Sequence, residues 1–498
     1  MNDKLNDALN QISSKHLSEA ENHKRPSRRP YWITAVAAVL AVVIGITAAS
    51  GGFLPEPDPS IPVHQGSVPD VPDPSGIQAP GTWQLSNLVA APTYPQMAPR
   101  PNLQDCSYDE YSSLLRDWEE TQKIQYDQPD GYADSLTDFF WESTRQFLNA
   151  RENSAYSPLN VYMALAMLAE TTDGNSRQQI LDTLGLESIE ALRQQVNHVW
   201  NAHYCDDGET SLLLGNSLWL DSAFPYHQDT IQLLAENYYA SSFHGDLGTE
   251  EMDQQLQQWL NANTGGLLQE QAKNIKLDPA TVFALASTVY FAADWESDFS
   301  PKATQDMLFH CGEYDLMTPF MRQTMRSGIY YRGSNFGAVK LDLSGRNSMW
   351  LILPDEGCSV SDILESDEYL RLTMTGRCER LGFYQIKLSM PKFDVVSETD
   401  LIGGLKEMGI TDAFDPAVSD FTAISDMPNL YVGSVRHAAR VTVDEEGVLA
   451  AAFTVLSTYT TGATTPPPEL DFTLDRPFLF VISSRDDLPL FVGTVTEP

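Results

Sequence analysis

Positive charge is scarce in this sequence. Its 498 residues include 31 Lys and Arg but 68 Asp and Glu, which gives a formal net charge of −37. Recognition of nucleic-acid phosphates requires clustered Lys and Arg. We therefore expect no nucleic-acid partner.

Cysteine is also scarce, and its spacing points to no special chemistry. The five cysteines show neither a CxxC pair nor the Cys/His spacing of a zinc site. At most two disulfides could form, and a core built from several hundred residues does not need them. We expect unpaired thiols, no metal and no cofactor. The five are Cys106, Cys205, Cys311, Cys358 and Cys378.

The sequence lacks the motifs of common catalytic sites. It contains no Walker-type glycine loop, GxSxG elbow, HExxH or GxGxxG. His437 stands near a strand, where a hydrogen-bonded core histidine is favoured over a general base. The acids at 444–446 equally suit a solvated strand end. The sequence therefore indicates a protein that is not an enzyme.

Two long segments carry no charge, and the first lies near the N-terminus. Residues 33–49 form a seventeen-residue apolar run, preceded by Tyr31 and Trp32 and by four basic residues. Such a run with a basic flank predicts a transmembrane signal anchor at 31–50, with a cytoplasmic tail at 1–30. The rest of the chain, with 25 basic and 64 acidic residues, would then be extracellular. The basic flank consists of Lys24, Arg25, Arg28 and Arg29.

A secretory signal peptide is the alternative interpretation of this run. Small residues near Ala49 would permit cleavage and secretion, but the long polar leader favours an uncleaved anchor. Residues 51–104 are crowded with Pro and small polar residues, which is typical of an extended stalk. One large globular unit is expected over 105–498.

The second uncharged segment spans residues 447–468. These twenty-two residues lie between acids at 444–446 and an apolar strand pattern at 477–484. Their Ala, Thr and Val content favours strands, and an exposed segment of this kind is an aggregation hazard that charge normally prevents. The pattern indicates a loop that must remain able to form a strand.

Periodicity within the globular unit predicts a mixed α+β fold. Helices are expected over 134–149, after the cap Ser157 with Pro158 in the first turn, and over 254–263. Helices mostly precede strands, which argues against a series of βαβ units. The expected strands are 281–291, 347–354, 383–393 and 439–443.

Several co-linear segments resemble serpins. They are NSAYSPLNVYMALAMLAETTDGNSRQQI (153–180), LASTVYFAADWESDF (285–299), MWLILPDE (349–356), MPKFDVVSETDLIGGLKEMGITDAF (390–414) and VRHAARVTVDEEGVLAAAFT (435–454). The resemblance spans about residues 105–498. With the predicted anchor, it suggests a membrane-anchored, bacterial-type serpin. It implies a monomer with three β-sheets, eight or nine helices and an exposed reactive loop.

The resemblance also implies a suicide mechanism against a serine, or possibly a cysteine, protease. The protease would cut the loop and form an acyl-enzyme, and the upstream half of the loop would insert into the large sheet. An uncharged strand suits this burial, because an inward charge would cost several kcal/mol. The implied loop hinge is Glu445, Glu446, Gly447, Val448, Leu449, Ala450, Ala451, Ala452, Phe453 and Thr454.

The family pattern locates the cleaved bond approximately. Counting from Glu445 gives Thr461–Gly462, while cleavage at Tyr459, Thr460 or Ala463 stays open. The loop contains no Arg or Lys, and trypsin-like specificity pockets are built around an acid. The expected targets are therefore elastase-like or subtilisin-like.

Departures from the pattern leave a second function open. Val448 stands where the family has Thr or Ser, and the bulky Phe453 ends the alanine run and could slow insertion. The alternative is a non-inhibitory serpin-fold binding or cell-surface interaction protein. In the region where the sheet opens, Ser157, Trp295 and His437 match the family, whereas Asn160 and Ser287 stand where the family has Ser and Asn, so that the pair is exchanged.

Overall fold

The computed structural model describes residues 36–48, 87–95, 97, 99–101, 106–208, 210–312, 314–375, 382–445 and 467–498. Within these residues the chain forms eleven α-helices and seventeen β-strands, so the predicted α+β class is confirmed. The predicted stalk and tail fall largely outside them. Cys205, Cys311 and Cys358 are free thiols.

The helices form where the sequence supplies caps and apolar faces. The predicted cap is confirmed: Ser157 Oγ accepts a hydrogen bond from the Asn160 backbone N–H at 3.1 Å. Every residue of the helix that follows is buried, so it forms the centre of the core. The helices are α1 Tyr108–Tyr126, α2 Leu136–Phe147, α3 Pro158–Thr171, α4 Gly174–Thr183, α5 Ile189–His203, α6 Gln228–Asn237, α7 Glu250–Asn263, α8 Gln269–Ala272, α9 Val360–Leu364, α10 Asp367–Thr375 and α11 Ile402–Glu407.

The strands group into two hydrogen-bonded sheets. They are β1 Val36–Ala48, β2 Leu88–Ala90, β3 Ser154–Tyr156, β4 Cys205–Asp206, β5 Thr210–Asp221, β6 Ala240–Gly245, β7 Thr281–Ala293, β8 Gln305–His310, β9 Asp315–Arg332, β10 Phe336–Asp342, β11 Ser348–Pro354, β12 Gly382–Pro391, β13 Phe393–Asp400, β14 Leu430–Val443, β15 Glu469–Thr473, β16 Phe478–Ser483 and β17 Pro489–Val495. An eight-stranded sheet has the order β13-β14-β1-β7-β5-β6-β2, with β4 beside β5.

The described strands form two sheets and not the three expected, because the second sheet joins two sets of strands. It has nine strands in the order β15-β12-β9-β10-β11-β16-β17-β3, with β8 beside β9. The eighteen-residue strand β9 pairs with β12 along much of its length and with β10 at its end. A single long strand thereby joins two sets of strands into one ladder.

The predicted membrane anchor is wrong, because its core is a strand of the eight-stranded sheet. β1 pairs antiparallel with β14 along Val36–Ala48 and with β7 on its other side. Among the described residues, no helix is both long enough and apolar enough to cross a bilayer. The expected single-pass membrane localisation therefore fails. Seven of the thirteen residues of β1 are β-branched, which favours a strand.

Both faces of β1 are buried over residues 41–47. Val42, Ile44 and Ile46 have no exposed surface, while Ala41 and Val43 on the opposite face are 1% and 3% exposed. Helix α3 packs against this strand. The sequence of a strand that is buried on both faces is a continuous apolar run, and for this reason the sequence of β1 resembles a membrane span.

Gly45 marks a close approach within β1. A Cβ atom at this position would lie 2.7 Å from Ser434 Oγ of β14. The register between β1 and β14 shifts between Gly45 and Ile46. Any larger residue would require the Ser434 side chain to move.

Truncating a β1 side chain should therefore destabilise the conformation in which β1 occupies the sheet. Ile44→Ala removes fully buried apolar atoms and is expected to lower the free energy of unfolding by about 2–5 kcal/mol. The control is Val396→Ala in β13, where the side chain is 40% exposed and the expected loss is under about 1 kcal/mol. Urea unfolding measures both. Equal, small losses would contradict the placement of β1 in the core.

Candidate functional site

The predicted reactive loop connects the two sheets. Its described ends are Glu445, two residues beyond β14, and Pro467, two residues before β15. The bond Thr461–Gly462, the alternatives at 459, 460 and 463, and the hinge residues 446–454 lie outside the described residues. The structure therefore describes the base of the predicted loop, where the chain leaves β14, and not the loop itself.

Glu445 is fixed at the base of the loop by contacts that sequence reasoning missed. Its carboxylate forms an ion pair with Lys392 and accepts a hydrogen bond from Thr304 Oγ1 at 2.5 Å. Its side chain is only 5% exposed. Burial alone would raise the pKa of Glu445, but the hydrogen bonds from Lys392 and Thr304 lower it below its usual value.

Trp295 belongs to this same base and not to the centre of the sheet. Its indole Nε1 donates a hydrogen bond to the carbonyl oxygen of Asp444 at 3.0 Å. Its ring packs edge-on against Phe299. The chain is therefore held on both sides of the peptide joining Asp444 to Glu445 before the loop begins.

Removing the buried carboxylate charge tests this attachment. Glu445→Gln weakens the contacts to Lys392 and Thr304 and should lower the free energy of unfolding by about 1–3 kcal/mol at pH 7. The matched control is Glu469→Gln. Glu469 pairs with Lys387 at 2.7 Å but is 61% exposed, so the expected loss is under about 1 kcal/mol. Chemical unfolding compares the two, and an equal effect would contradict a buried attachment.

The position between β7 and β14, which we call the central slot, begins beside this base. Val36 lies opposite Val443, the last residue of β14, and opposite Ala293, the last residue of β7. Ala48 lies opposite Leu430 at the other end of β14. β1 therefore fills the central slot along its full length.

Three of the predicted sheet-opening residues meet beneath the slot. Ser157 caps α3, and Asn160 in the first turn donates from Nδ2 to Ser287 Oγ on β7 at 3.0 Å. All three side chains are buried. Within the described part of the chain, Asn160 Oδ1 has no hydrogen-bond partner. The network joins the central helix to one side of the slot.

His437 lies on the other side of the slot, on β14. Val42 of β1 stands between it and Ser287, since Val42 is the register partner of both. The imidazole packs against Tyr156 with ring centroids 5.4 Å apart. It is a core histidine as predicted, but the expected hydrogen bond is missing: neither ring nitrogen has a partner among the residues described.

Burial without a partner lowers the pKa of His437 to about 3. The folded protein then keeps this imidazole neutral where the unfolded chain, with a pKa near 6.5, has protonated it. Stability is therefore lost as the pH falls from about 6.5 toward 3.

His437→Phe should reduce this acid sensitivity. Between pH 7 and pH 4.5, the wild type should lose about 2 kcal/mol more unfolding free energy than the variant. His310→Asn is the control, because His310 is exposed and its hydrogen bond with Asp315 raises its pKa. Urea unfolding at both pH values gives the comparison. The same pH dependence in wild type and His437→Phe would overturn the conclusion that the pKa of His437 is lowered in the folded protein.

Comparison with known proteins identifies a single family. A family model described as Serpin (serine protease inhibitor) matches residues 134–498. The chain is 28% identical over 412 residues to alpha-1-antiproteinase 2 of Equus caballus, covering 80% of this chain and 93% of that protein. It is 29% identical over 369 residues to serpin-Z2B of Triticum aestivum, covering 70% and 90%.

Structural similarity agrees with the sequence matches. The crystal structure of the thermophilic serpin tengpin in the native state superposes with a TM-score of 0.64 at 26% identity. The alignment covers 74% of this chain and 95% of tengpin. The sheets and helices described above are thus those of a known fold.

Proposed function

We propose that this chain, which belongs to the serpin family, inhibits a serine protease by cleavage and insertion of its own reactive loop. The observation that carries the proposal is the position of the loop. It departs from a buried, fixed glutamate at the end of β14, directly beside the central slot. After Glu446 comes the uncharged segment 447–459, which we call the insertion segment.

The proposed reaction begins as ordinary proteolysis. The protease serine hydroxyl attacks the carbonyl carbon of Thr461, and the bond to Gly462 breaks. Thr461 becomes esterified to the protease, and Gly462 leaves as a free amine. Insertion of the upstream chain as a strand then carries the attached protease along the sheet and distorts it before water can hydrolyse the ester.

The composition of the loop supports both insertion and target choice. Side chains of a strand alternate between faces, and neither face of the insertion segment carries charge. Without Arg or Lys, the loop suits an elastase-like or subtilisin-like protease. A cysteine protease of similar specificity would be acylated through a thioester in the same way.

A second candidate function is favoured by one observation. β1 already fills the central slot, so the loop has no free position to enter in this conformation. A chain held permanently in this state would be a binding protein with a serpin fold, and its loop would be cleaved without trapping the protease.

Incubation with an elastase-like or a subtilisin-like protease tests inhibition. We expect a fraction of the chain to form a detergent-stable covalent complex, visible by electrophoresis, with acylation at 459–463 located by mass spectrometry. Thr454→Arg puts a charge in the insertion segment and should turn inhibition into simple cleavage. Thr465→Arg, beyond the cut, is the control and should leave the complex yield unchanged.

Cleavage of the loop without trapping of the protease would contradict inhibition. Quantitative loop cleavage with fully active protease at every molar ratio, in the wild type and in a variant that weakens β1 (Ile44→Asp), would support the binding protein. Complex formation by Thr454→Arg at the wild-type yield would show that trapping does not depend on insertion of this segment.

A further inference from the structure

We propose that β1 is an internal competitor of the reactive loop, which must leave the central slot before the insertion segment can enter it. This inference rests on the proposed inhibitory function, because it concerns the sheet position that inhibition requires. Its consequence is a chain whose inhibitory capacity is restrained by its own N-terminal strand.

The geometry of β1 matches what the loop would need. A chain that leaves the end of β14 and folds back beside it must run antiparallel to β14. β1 runs antiparallel to β14 and to β7. Its first residue, Val36, lies opposite Val443, two residues from Glu445. The insertion segment would therefore begin where β1 begins.

The two segments are also alike in length and chemistry. β1 has thirteen residues, and the insertion segment 447–459 has the same number. Both consist of small, apolar and hydroxyl-bearing side chains without charge. Each can fill the same ladder of backbone hydrogen bonds on two sides. Since one slot admits one strand, occupancy by either excludes the other.

The polar groups beside the slot suggest how the sheet would close without β1. Ser287 and His437 lie on opposite sides of Val42, and His437 has no hydrogen-bond partner among the described residues. If β1 leaves, β7 and β14 can approach as parallel neighbours. The Ser287 hydroxyl would then come within reach of the imidazole, and a buried donor–acceptor pair would replace an unpartnered ring.

The connection of β1 to the chain allows it to leave alone. Thirty-nine residues separate Ala48 from Leu88, the first residue of β2. Fully extended, a segment of this length spans up to about 130 Å. Departure of β1 therefore requires no displacement of β2 or of any later element.

The first experiment uses the unmodified chain. Hydrogen exchange followed by mass spectrometry should show amides of 36–48 protected as strongly as those of β7 and β14, in a monomer verified by light scattering. Rapid exchange of 36–48 would overturn the inference. Protection found only in dimers or larger species would assign the strand to a second copy and would likewise overturn it.

The second experiment weakens β1. Ile44→Asp introduces a charge at a site with no exposed surface and should expel the strand, whereas Ile44→Val is the control that retains it. With an elastase-like or a subtilisin-like protease, the yield of covalent complex from Ile44→Asp should exceed that of the wild type at least fivefold. Ile44→Val should match the wild type.

A second readout separates failure of the inference from failure of the proposed function. After the loop is nicked, the melting temperature of Ile44→Asp should rise sharply as the loop fills the slot, while that of the wild type should change little. Equal complex yields in wild type and Ile44→Asp would overturn the inference and leave inhibition standing. No complex from either, with the melting temperature rising only in Ile44→Asp, would overturn inhibition and leave the competition standing.

Discussion

The position between β7 and β14 admits one strand, and this chain carries two segments that suit it. A strand there must pair on both edges, bury both faces and run antiparallel to its neighbours. β1 meets these requirements, with Val42, Ile44 and Ile46 fully buried. The loop segment 447–459 has the same length and the same lack of charge. The conformation of the large sheet and the behaviour of the loop both follow from which segment occupies this position.

The base of the loop is held by contacts that do not involve β1, the occupant of the slot. Glu445 is held by Lys392 and Thr304, and the carbonyl of Asp444 is held by Trp295. These contacts fix the point from which the loop begins, beside the end of β14. Such an attachment serves an inserting loop, because the turn into the slot must form at a constant place while the rest of the segment relocates.

Sequence reasoning succeeded where structure is determined locally and failed where it is determined at a distance. The cap at Ser157 and the buried helix after it could be predicted, since the hydroxyl, the proline and the apolar residues are neighbours along the chain. The contact between Glu445 and Lys392 could not, because nothing in the sequence brings residues 53 positions apart together. The sequence of β1 resembles a membrane span because burial on both faces removes the alternation that marks a strand; the remaining strand signals are its β-branched residues and its thirteen-residue length.

Filling of the slot by β1 also alters the energetics of trapping. Inhibition by insertion uses the free energy released when an unoccupied sheet gains a strand. If β1 must first be expelled, the net release is only the difference between two similar strands, since the hydrogen-bond ladder and the buried apolar surface are lost with one and regained with the other. The force available to distort a protease would then be small. Under the proposed mechanism, such a chain would inhibit effectively only after β1 had been withdrawn from the slot, and the strand that fills the sheet would control when the loop can act.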